Sequence, residues 1–162
     1  MCIRDRAPEA FLEIQKAYSE LCGRPYKGFF EAYKLDDAER VIVVMGSTAG
    51  TAKAVVDELR AKGERVGLLK VWLWRPFPRA EIIEALAGAK AVAVMDRAIS
   101  FGNLGALYLD VVSGFAGRPG PTFVNYIYGL GGRDIPMEHI AQVFEGLKDA
   151  ETGELRYLGL RE

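Results

Sequence analysis

Two glycine-containing stretches of this sequence could bind a phosphate or a carboxylate, because each follows an apolar run and leads into a helical pattern. The first is Gly46-Ser47-Thr48-Ala49-Gly50-Thr51. Gly46 permits a sharp turn, Ser47 or Thr48 could cap the following helix, and the free amides of a helix N-terminus attract anions. The specific phosphate motifs fail, however, since a P-loop would need its lysine two positions before Lys53 and the dinucleotide fingerprint would need glycine at Thr48. Tight packing of a strand on a helix explains this stretch better than a phosphate site.

The second stretch is Gly129-Leu130-Gly131-Gly132-Arg133-Asp134. Its glycines would let a ligand or a neighbouring chain approach the backbone closely, and Arg133 could pair with a carboxylate or a phosphate. The alternative is a flexible turn in which Asp134 or Ile135 caps the next helix. Both interpretations stay open at the level of the sequence.

The remaining candidates for chemistry are few. Asp96 and Arg97 follow an apolar run, where they could be catalytic, but a local ion pair that fixes the loop explains them better. His139 is the only histidine and lies off the apolar stripe of its helix, which predicts a solvated surface residue. No partners for a catalytic triad and no metal-binding spacing surround it. The residues alone therefore supply no reaction.

Apolar periodicity predicts alternating strands and helices around these residues. Trp72 and Trp74 should share one strand face, in the core or on a partner surface. The predicted strands are an alternating edge strand over Phe29–Leu35 and further strands over Arg40–Met45, Arg65–Trp74, Ala91–Met95 and Thr122–Ile127. The predicted helices lie over Pro8–Cys22, after Gly50, over Arg79–Ala87, from Leu104 to Phe115 and after Ile135. Leu155–Leu158 is either a short strand or a frayed end.

Alternating strands and helices with right-handed crossovers predict an α/β protein that forms a three-layer α/β/α sandwich. The strands that end at Gly46, Arg75, Asp96 and Tyr128 should then share one edge of the sheet. Ligands and partners of open α/β sheets bind at this carboxyl edge. We therefore expect any functional surface to lie there.

Composition excludes several classes of protein. The chain has 162 residues, of which 27% are charged, and a formal net charge of −1. This balance gives no electrostatic footprint for nucleic acid, and no apolar run approaches the roughly 20 residues of a membrane helix. The two cysteines cannot form a disulfide framework or hold a four-thiolate iron–sulfur cluster, and they suit a reducing cytoplasm.

The first six residues, Met-Cys-Ile-Arg-Asp-Arg, share no pattern with the rest of the chain. They resemble a translated sequencing adaptor, so we expect a non-native leader over residues 1–6; the alternative is a genuine disordered N-terminus. The predicted organisation continues with an N-terminal helix and connection over residues 7–28. The α/β domain occupies residues 29–148, with a tail over 149–162.

Four motifs in order carry a resemblance to a known family. They are residues 44–52 (Val-Met-Gly-Ser-Thr-Ala-Gly-Thr-Ala), 67–78 (Gly-Leu-Leu-Lys-Val-Trp-Leu-Trp-Arg-Pro-Phe-Pro), 91–102 (Ala-Val-Ala-Val-Met-Asp-Arg-Ala-Ile-Ser-Phe-Gly) and 125–135 (Asn-Tyr-Ile-Tyr-Gly-Leu-Gly-Gly-Arg-Asp-Ile). Together they resemble the C-terminal part of the alpha subunit of pyruvate:ferredoxin oxidoreductase, a 2-oxoacid:ferredoxin oxidoreductase. The resemblance runs from about Ala7 to near Lys148.

The resemblance implies a fold like the transketolase C-terminal domain, with a mostly parallel five-stranded sheet whose first strand is an antiparallel edge strand. It implies an enzyme that converts pyruvate and coenzyme A to acetyl-CoA and carbon dioxide and reduces ferredoxin. Thiamine pyrophosphate, Mg²⁺ and iron–sulfur clusters are implied for the complete enzyme, and none of them for this chain. The implied partners are subunits of the beta, gamma and delta types, and ferredoxin through the complex.

No catalytic, cofactor-binding or metal-binding residue of the family carries over to this chain, which has no Gly-Asp-Gly…Asn magnesium–diphosphate motif. We therefore expect a structural domain, inactive alone, that presents its carboxyl-edge loops to other domains or subunits. Two alternatives are the equivalent domain of another thiamine-dependent 2-oxoacid enzyme and a free-standing module that binds a nucleotide or small ligand. The expected interface residues are Gly46, Ser47, Thr48, Arg75, Phe77, Asp96, Arg97, Gly131, Gly132, Arg133 and Asp134.

Overall fold

A computed structural model describes residues 3–160 of the chain as an α/β/α sandwich. The strands are β1 (Phe30–Tyr33), β2 (Arg40–Met45), β3 (Val66–Val71), β4 (Ala91–Asp96), β5 (Thr122–Ile127) and β6 (Leu155–Tyr157). The helices are α1 (Ile3–Cys22), α2 (Thr48–Ala61), α3 (Arg79–Leu86), α4 (Ala106–Gly114) and α5 (Met137–Gly146), and a 3₁₀ turn spans Leu130–Gly132.

The six strands form one sheet in the order β1-β3-β2-β4-β5-β6. Strands β2, β3, β4, β5 and β6 all run parallel to one another, whereas β1 pairs antiparallel with β3. Alternate residues of β2 and β4 enter two separate cores, one beneath α2 and α5 and the other beneath α3 and α4. Apolar residues on both strand faces are what a sheet covered by helices on both sides requires. The predicted fold class is confirmed.

The antiparallel edge strand is also confirmed, with Ala32 opposite Leu69. The segment that leads from β1 toward β2 crosses closely over β3 at Gly67. A Cβ atom at this position would lie 2.6 Å from the carbonyl oxygen of Lys34 and 2.9 Å from the Cβ of Ala38. Glycine is therefore required where the edge strand's connection passes over the sheet.

The sheet has one strand more than the predicted five, because β6 from the tail pairs in parallel with β5. Arg156 holds this strand by donating hydrogen bonds to the Tyr126 hydroxyl (3.1 Å) and the Gly146 carbonyl (2.8 Å). A three-residue, partly exposed strand has no run of alternating apolar residues, which is why its pattern could not be separated from a frayed end. Residues of the predicted tail thus belong to the sheet of the predicted 29–148 domain.

Helix α1 begins at Ile3 and includes Pro8, so residues 3–6 of the expected leader continue into the N-terminal helix. Met1 and Cys2 lie outside the described residues. The helix is attached to the sandwich by the connection between its C-terminus and β1. Phe11 packs near Phe29, and Gln15 donates a hydrogen bond to the Gly28 carbonyl at 3.0 Å.

The prediction that Trp72 and Trp74 share a strand face is wrong, because β3 ends at Val71. Trp72 turns toward the Tyr26 ring, whose centroid is 5.3 Å away, whereas Trp74 donates its indole N–H to Asp110 at 2.7 Å. The amides of Trp72 and Leu73 both bond to the Phe29 carbonyl, which bends the chain out of the strand.

None of the helices within residues 3–160 combines the length and apolar composition that a membrane span requires.

Candidate functional site

An open cleft of about 390 Å³ lies at the carboxyl edge of the sheet. It brings together the loop after β2, the first residue after β4 and the loop after β5. We call it the edge cleft; it is lined by Ser47, Thr48, Thr51, Arg97, Arg133, Asp134, Ile135 and Pro136. Five of the sequence-predicted interface residues therefore line one concave surface.

The N-terminus of α2 forms one wall of the edge cleft. Gly46 makes the predicted sharp turn with a φ of 74°, and the exposed Ser47 stands at the N-cap position without a side-chain capping bond. Thr48 is buried, and its hydroxyl accepts a hydrogen bond from the Tyr128 hydroxyl at 2.9 Å. The expected side-chain cap is wrong, because Thr48 instead joins the loop after β2 to the loop after β5.

Tyr128 supports the neighbouring wall of the cleft. Its ring is buried, and burial raises the pKa of its hydroxyl, which keeps the donor protonated at neutral pH. The Arg97 guanidinium lies 5.7 Å from the centre of this ring. A cation over an aromatic face is held by the ring's quadrupole. Arg97 is thus positioned by Tyr128 while its side chain stays exposed.

The ion pair expected between Asp96 and Arg97 is not formed, because the Asp96 carboxylate points into the protein. It accepts hydrogen bonds from the amides of Leu107 (2.9 Å) and Tyr108 (3.2 Å) in the first turn of α4. It also accepts one from the Asn125 side-chain amide at 3.2 Å. A negative charge beside the first free amides of a helix is favourable, so Asp96 anchors α4 to β4.

Asn125 completes the arrangement and was not among the predicted site residues. Its side chain is 0% exposed, its Oδ1 accepts the Gly105 amide at 2.7 Å, and its Nδ2 also donates to the Val94 carbonyl at 3.2 Å. The sequence did contain a signal for this residue, namely a single amide side chain inside the otherwise largely apolar strand β5. A buried amide must be hydrogen-bonded, so its position indicates a partner on a neighbouring element.

We call these residues the buried polar network; its members are Asp96, Asn125, Gly105, Leu107 and Tyr108. Burial raises the pKa of Asp96 above its ordinary value, while the hydrogen bonds from Leu107, Tyr108 and Asn125 act in the opposite direction. The carboxylate is only 6% exposed and its oxygens already accept three donors. This environment suits a structural anchor better than a catalytic acid.

The glycine-rich loop after β5 forms the outer wall of the edge cleft. Gly131 and Gly132 have φ angles of 66° and 77°, and Arg133 donates a 2.6 Å hydrogen bond to the Gly159 carbonyl. The expected cap by Asp134 or Ile135 is wrong, since α5 begins at Met137 with Pro136 at its N-cap position and no side-chain capping bond. Asp134 is exposed at the rim.

Two predicted interface residues lie away from the cleft. Arg75 forms a 2.7 Å ion pair with Asp110 and stacks on Trp74, and Phe77 packs against the core beneath α3 and α4. They fix the connection between β3 and α3 to α4. The loop that carries them is therefore a separate surface of the sandwich.

His139 is a further difference from the sequence prediction. It is partly buried rather than solvated, and its buried Nδ1 has no hydrogen-bond partner within residues 3–160. The segment after β6 covers the ring, since a Cβ at Gly159 would lie 3.1 Å from its Cε1. The sequence could not predict this cover, because it comes from the segment after β6.

Among residues 3–160, no group of three or more His, Cys, Asp or Glu side chains could hold a metal ion. Cys22 is a free, exposed thiol. Because Cys22 is the single thiol within residues 3–160, this part of the chain supplies no four-thiolate set for an iron–sulfur cluster.

Comparison with known proteins identifies the domain. The family model of pyruvate:ferredoxin oxidoreductase core domain II matches residues 38–140, which extend from just before β2 through the first turn of α5. The chain belongs to this family. The match includes the buried polar network and all the residues that line the edge cleft.

Curated relatives extend the similarity beyond this domain. The chain is 49% identical over 166 residues to the pyruvate synthase subunit PorA of Thermotoga maritima and 44% identical over 153 residues to that of Methanosarcina barkeri. It is 37% identical over 153 residues to the ketoisovalerate oxidoreductase subunit VorA of Pyrococcus abyssi. These matches cover 98%, 91% and 93% of the chain but only 41%, 38% and 39% of the relatives. The chain therefore spans about two-fifths of the length of the curated relatives that it matches.

A solved structure shares the fold. It is a 2-oxoglutarate:ferredoxin oxidoreductase from Magnetococcus marinus with 2-oxoglutarate, coenzyme A and succinyl-CoA bound. The TM-score is 0.54 at 22% identity, and the similarity covers 87% of this chain and 24% of that one. It supports the architecture described above.

The raised pKa of Asp96 predicts how its contribution to stability varies with pH. Because the folded protein holds this proton more tightly than the unfolded chain, the contribution is largest below the ordinary pKa of 3.8 and falls as pH rises through the folded pKa. We therefore expect the free energy of unfolding of the wild-type chain, measured by urea denaturation, to fall relative to that of Asp96→Asn as the pH rises across this window.

Asp57→Asn provides a control of opposite sign. The pKa of Asp57 is lowered mainly by the hydrogen bond from Lys34 and, to a smaller extent, by the one from Tyr33. The free energy of unfolding of the wild-type chain should therefore rise relative to that of this variant as the pH rises toward 3.8. A wild-type chain that instead gains stability relative to Asp96→Asn as pH rises above 3.8 would contradict the assigned environment of Asp96.

Gly105→Ala should destabilise the domain through the buried polar network. The backbone of Gly105 has a φ of −62° and a ψ of 145°, which alanine adopts without strain, but the new Cβ would lie 2.2 Å from Oδ2 of Asp96. We expect a loss of at least about 2 kcal/mol in urea unfolding.

Gly50→Ala is the matched control, because among the described residues the added Cβ would meet nothing within 4 Å beyond its chain neighbours and the backbone of its own helix. This position lies inside α2, where the change should stabilise the chain by up to about 1 kcal/mol. Equal effects of the two substitutions would show that the contact with Asp96 does not constrain position 105.

Proposed function

We propose that this chain is a structural domain of a 2-oxoacid:ferredoxin oxidoreductase and presents its carboxyl-edge loops to other parts of that enzyme. The observation that carries the proposal is the match of core domain II to residues 38–140, within a chain that spans about two-fifths of its relatives. A domain of this kind contributes position and contact area, and the reaction belongs to the complete enzyme. The chain alone should be inactive.

The exposed charges of the edge cleft support a role in contact. Arg97 has no acidic partner among the described residues, and its guanidinium is held in place by Tyr128 rather than by a carboxylate. Arg133 and Asp134 also line the cleft and are exposed. An exposed arginine positioned over an aromatic ring is well suited to recognise a carboxylate on a partner, because its planar fork loses little entropy on binding.

We assign the cofactors of the complete enzyme to other domains or subunits. Thiamine pyrophosphate, when bound, would supply the carbanion chemistry on the 2-oxoacid, and iron–sulfur clusters would carry the electrons. This chain's own residues hold the carboxyl edge in shape through the buried polar network and offer its loops to a neighbour. The proposed neighbours are subunits of the beta, gamma and delta types, and ferredoxin through the complex, in the cytoplasm.

Pyruvate is the proposed 2-oxoacid, supported by the higher identity to the two PorA subunits than to the VorA subunit. A branched-chain 2-oxoacid is the second candidate, because that VorA subunit is still 37% identical over 93% of the chain. Turnover by the complete enzyme with pyruvate and with 2-ketoisovalerate decides between the two.

The contact role can be tested in a chimeric subunit, in which this chain replaces the matching two-fifths of the Thermotoga maritima subunit and is produced with that enzyme's other subunits. The double variant Arg133→Ala, Asp134→Ala should weaken assembly at least about tenfold in native mass spectrometry, because charged groups at a contact set affinity and specificity. The melting temperature of the isolated chain should fall only slightly, because Arg133 loses one exposed hydrogen bond to the Gly159 carbonyl.

Lys148→Ala, Asp149→Ala is the matched control, since these residues form an exposed pair of the same charges after α5, at the other end of that helix. Assembly and turnover of this variant should equal those of the unmodified chimera. If the Arg133, Asp134 variant also assembles and turns over normally, the edge cleft is not a contact surface.

A further inference from the structure

Helix α1 carries a continuous exposed stripe of apolar residues. They recur at alternating intervals of three and four residues, and Ile14 and Leu21 are 69% and 86% exposed. We call this stripe the α1 seam; its members are Ala7, Ala10, Ile14, Ala17 and Leu21, all after the expected leader. Two large aliphatic side chains this exposed on one face of one helix are unusual for a surface that faces only water.

A neighbouring face of the helix, three and four positions from Ile14, makes the contacts that hold α1 in place while the seam faces outward. The helix is held to the sandwich through Phe11, which packs on Phe29, and through Tyr18, whose ring lies 5.5 Å from that of Tyr26. Ser19 adds a 3.0 Å hydrogen bond from the Tyr26 amide to its hydroxyl. Because these contacts fix one face of α1, the seam stays without a partner among the described residues.

The spacing of the seam indicates the shape of its partner. Apolar residues that repeat every 3.5 positions form a narrow stripe that packs along another helix, with side chains inserted between those of the facing helix. The alanines at positions 7, 10 and 17 allow a close approach of the two backbones. A groove of about 730 Å³ beside the seam, lined in part by Ala10, Phe11, Ile14 and Leu73, leaves room for the partner's side chains.

The comparisons indicate where such a helix would come from. The family model begins at residue 38, after α1, whereas the match to the Thermotoga maritima subunit covers 98% of the chain and so includes nearly all of α1. The sequence of α1 is therefore matched in this subunit outside core domain II. About three-fifths of that relative's length lies outside the match.

We propose that the α1 seam packs against a helix in the part of the subunit that lies outside this chain. The inference rests on the proposed function, because it takes the chain as part of such a subunit. It concerns a surface distinct from the edge cleft, which α1 does not line. The seam joins this domain to the rest of its own subunit, and the edge cleft contacts other parts of the enzyme.

Hydrogen exchange of the α1 amides tests this assignment in the isolated 162-residue chain and in the assembled chimeric enzyme. Packing of a second helix on the seam should slow exchange in α1 at least about tenfold in the assembled enzyme. The double variant Ile14→Asp, Leu21→Asp should abolish this slowing. Its melting temperature as an isolated chain should change little, because both side chains are already exposed.

Leu12→Asp is the control on the same helix, since Leu12 is 40% exposed but lies off the seam. It should leave the slowing in place. Equal exchange of α1 in the isolated chain and in an assembled, active enzyme would overturn the proposal while the proposed function stands. If the isolated chain forms a dimer in which α1 is already protected, the partner of the seam is a second copy of this chain and the proposal is overturned. Slowed exchange of α1 in an assembled enzyme that has no turnover would contradict the proposed function alone.

Discussion

The carboxyl edge of this domain depends on one buried carboxylate. Asp96 ends β4 inside the protein, accepts two amides of α4 and the side-chain amide of Asn125, and requires glycine at position 105 because no Cβ fits beside it. The carbonyl of Asp96 also accepts the Tyr128 amide at 3.0 Å. Two strands and one helix are therefore joined at a single point, and a buried charge is tolerated there because its hydrogen bonds are satisfied.

This constraint connects the fold to the surface that we consider functional. Arg97 follows Asp96 directly and lies over the Tyr128 ring, and the Tyr128 hydroxyl reaches across to Thr48 at the start of α2. The walls of the edge cleft are thus fixed from below by the buried polar network and from the side by one tyrosine. A surface held in this way loses little conformational entropy when a partner binds, which is the property an assembly domain needs.

Much of the fold could be predicted, because the apolar runs of β2 and β4 and the helical periodicity of α2 are strong local signals. The common edge of Ser47, Thr48, Arg97 and Arg133 followed from parallel topology alone. Contacts between residues far apart in the sequence could not be predicted. Thr48 does not cap α2, because its hydroxyl accepts a hydrogen bond from a tyrosine eighty positions away. Asp96 does not pair with Arg97, because the amides of α4 are better donors to its carboxylate. Strand β6 and the cover over His139 depend on a short tail whose own pattern is weak.

The central claim is that Asp96 and Asn125 act as one unit that holds the carboxyl edge. A double-mutant cycle with Asp96→Asn and Asn125→Ala, measured by urea unfolding of the chain, tests it most directly. Residues in one hydrogen-bond network should show a coupling free energy of at least about 1 kcal/mol, because either change alone leaves buried donors without partners. Losses that add to within about 0.5 kcal/mol would contradict the account, since independent sites behave in that way.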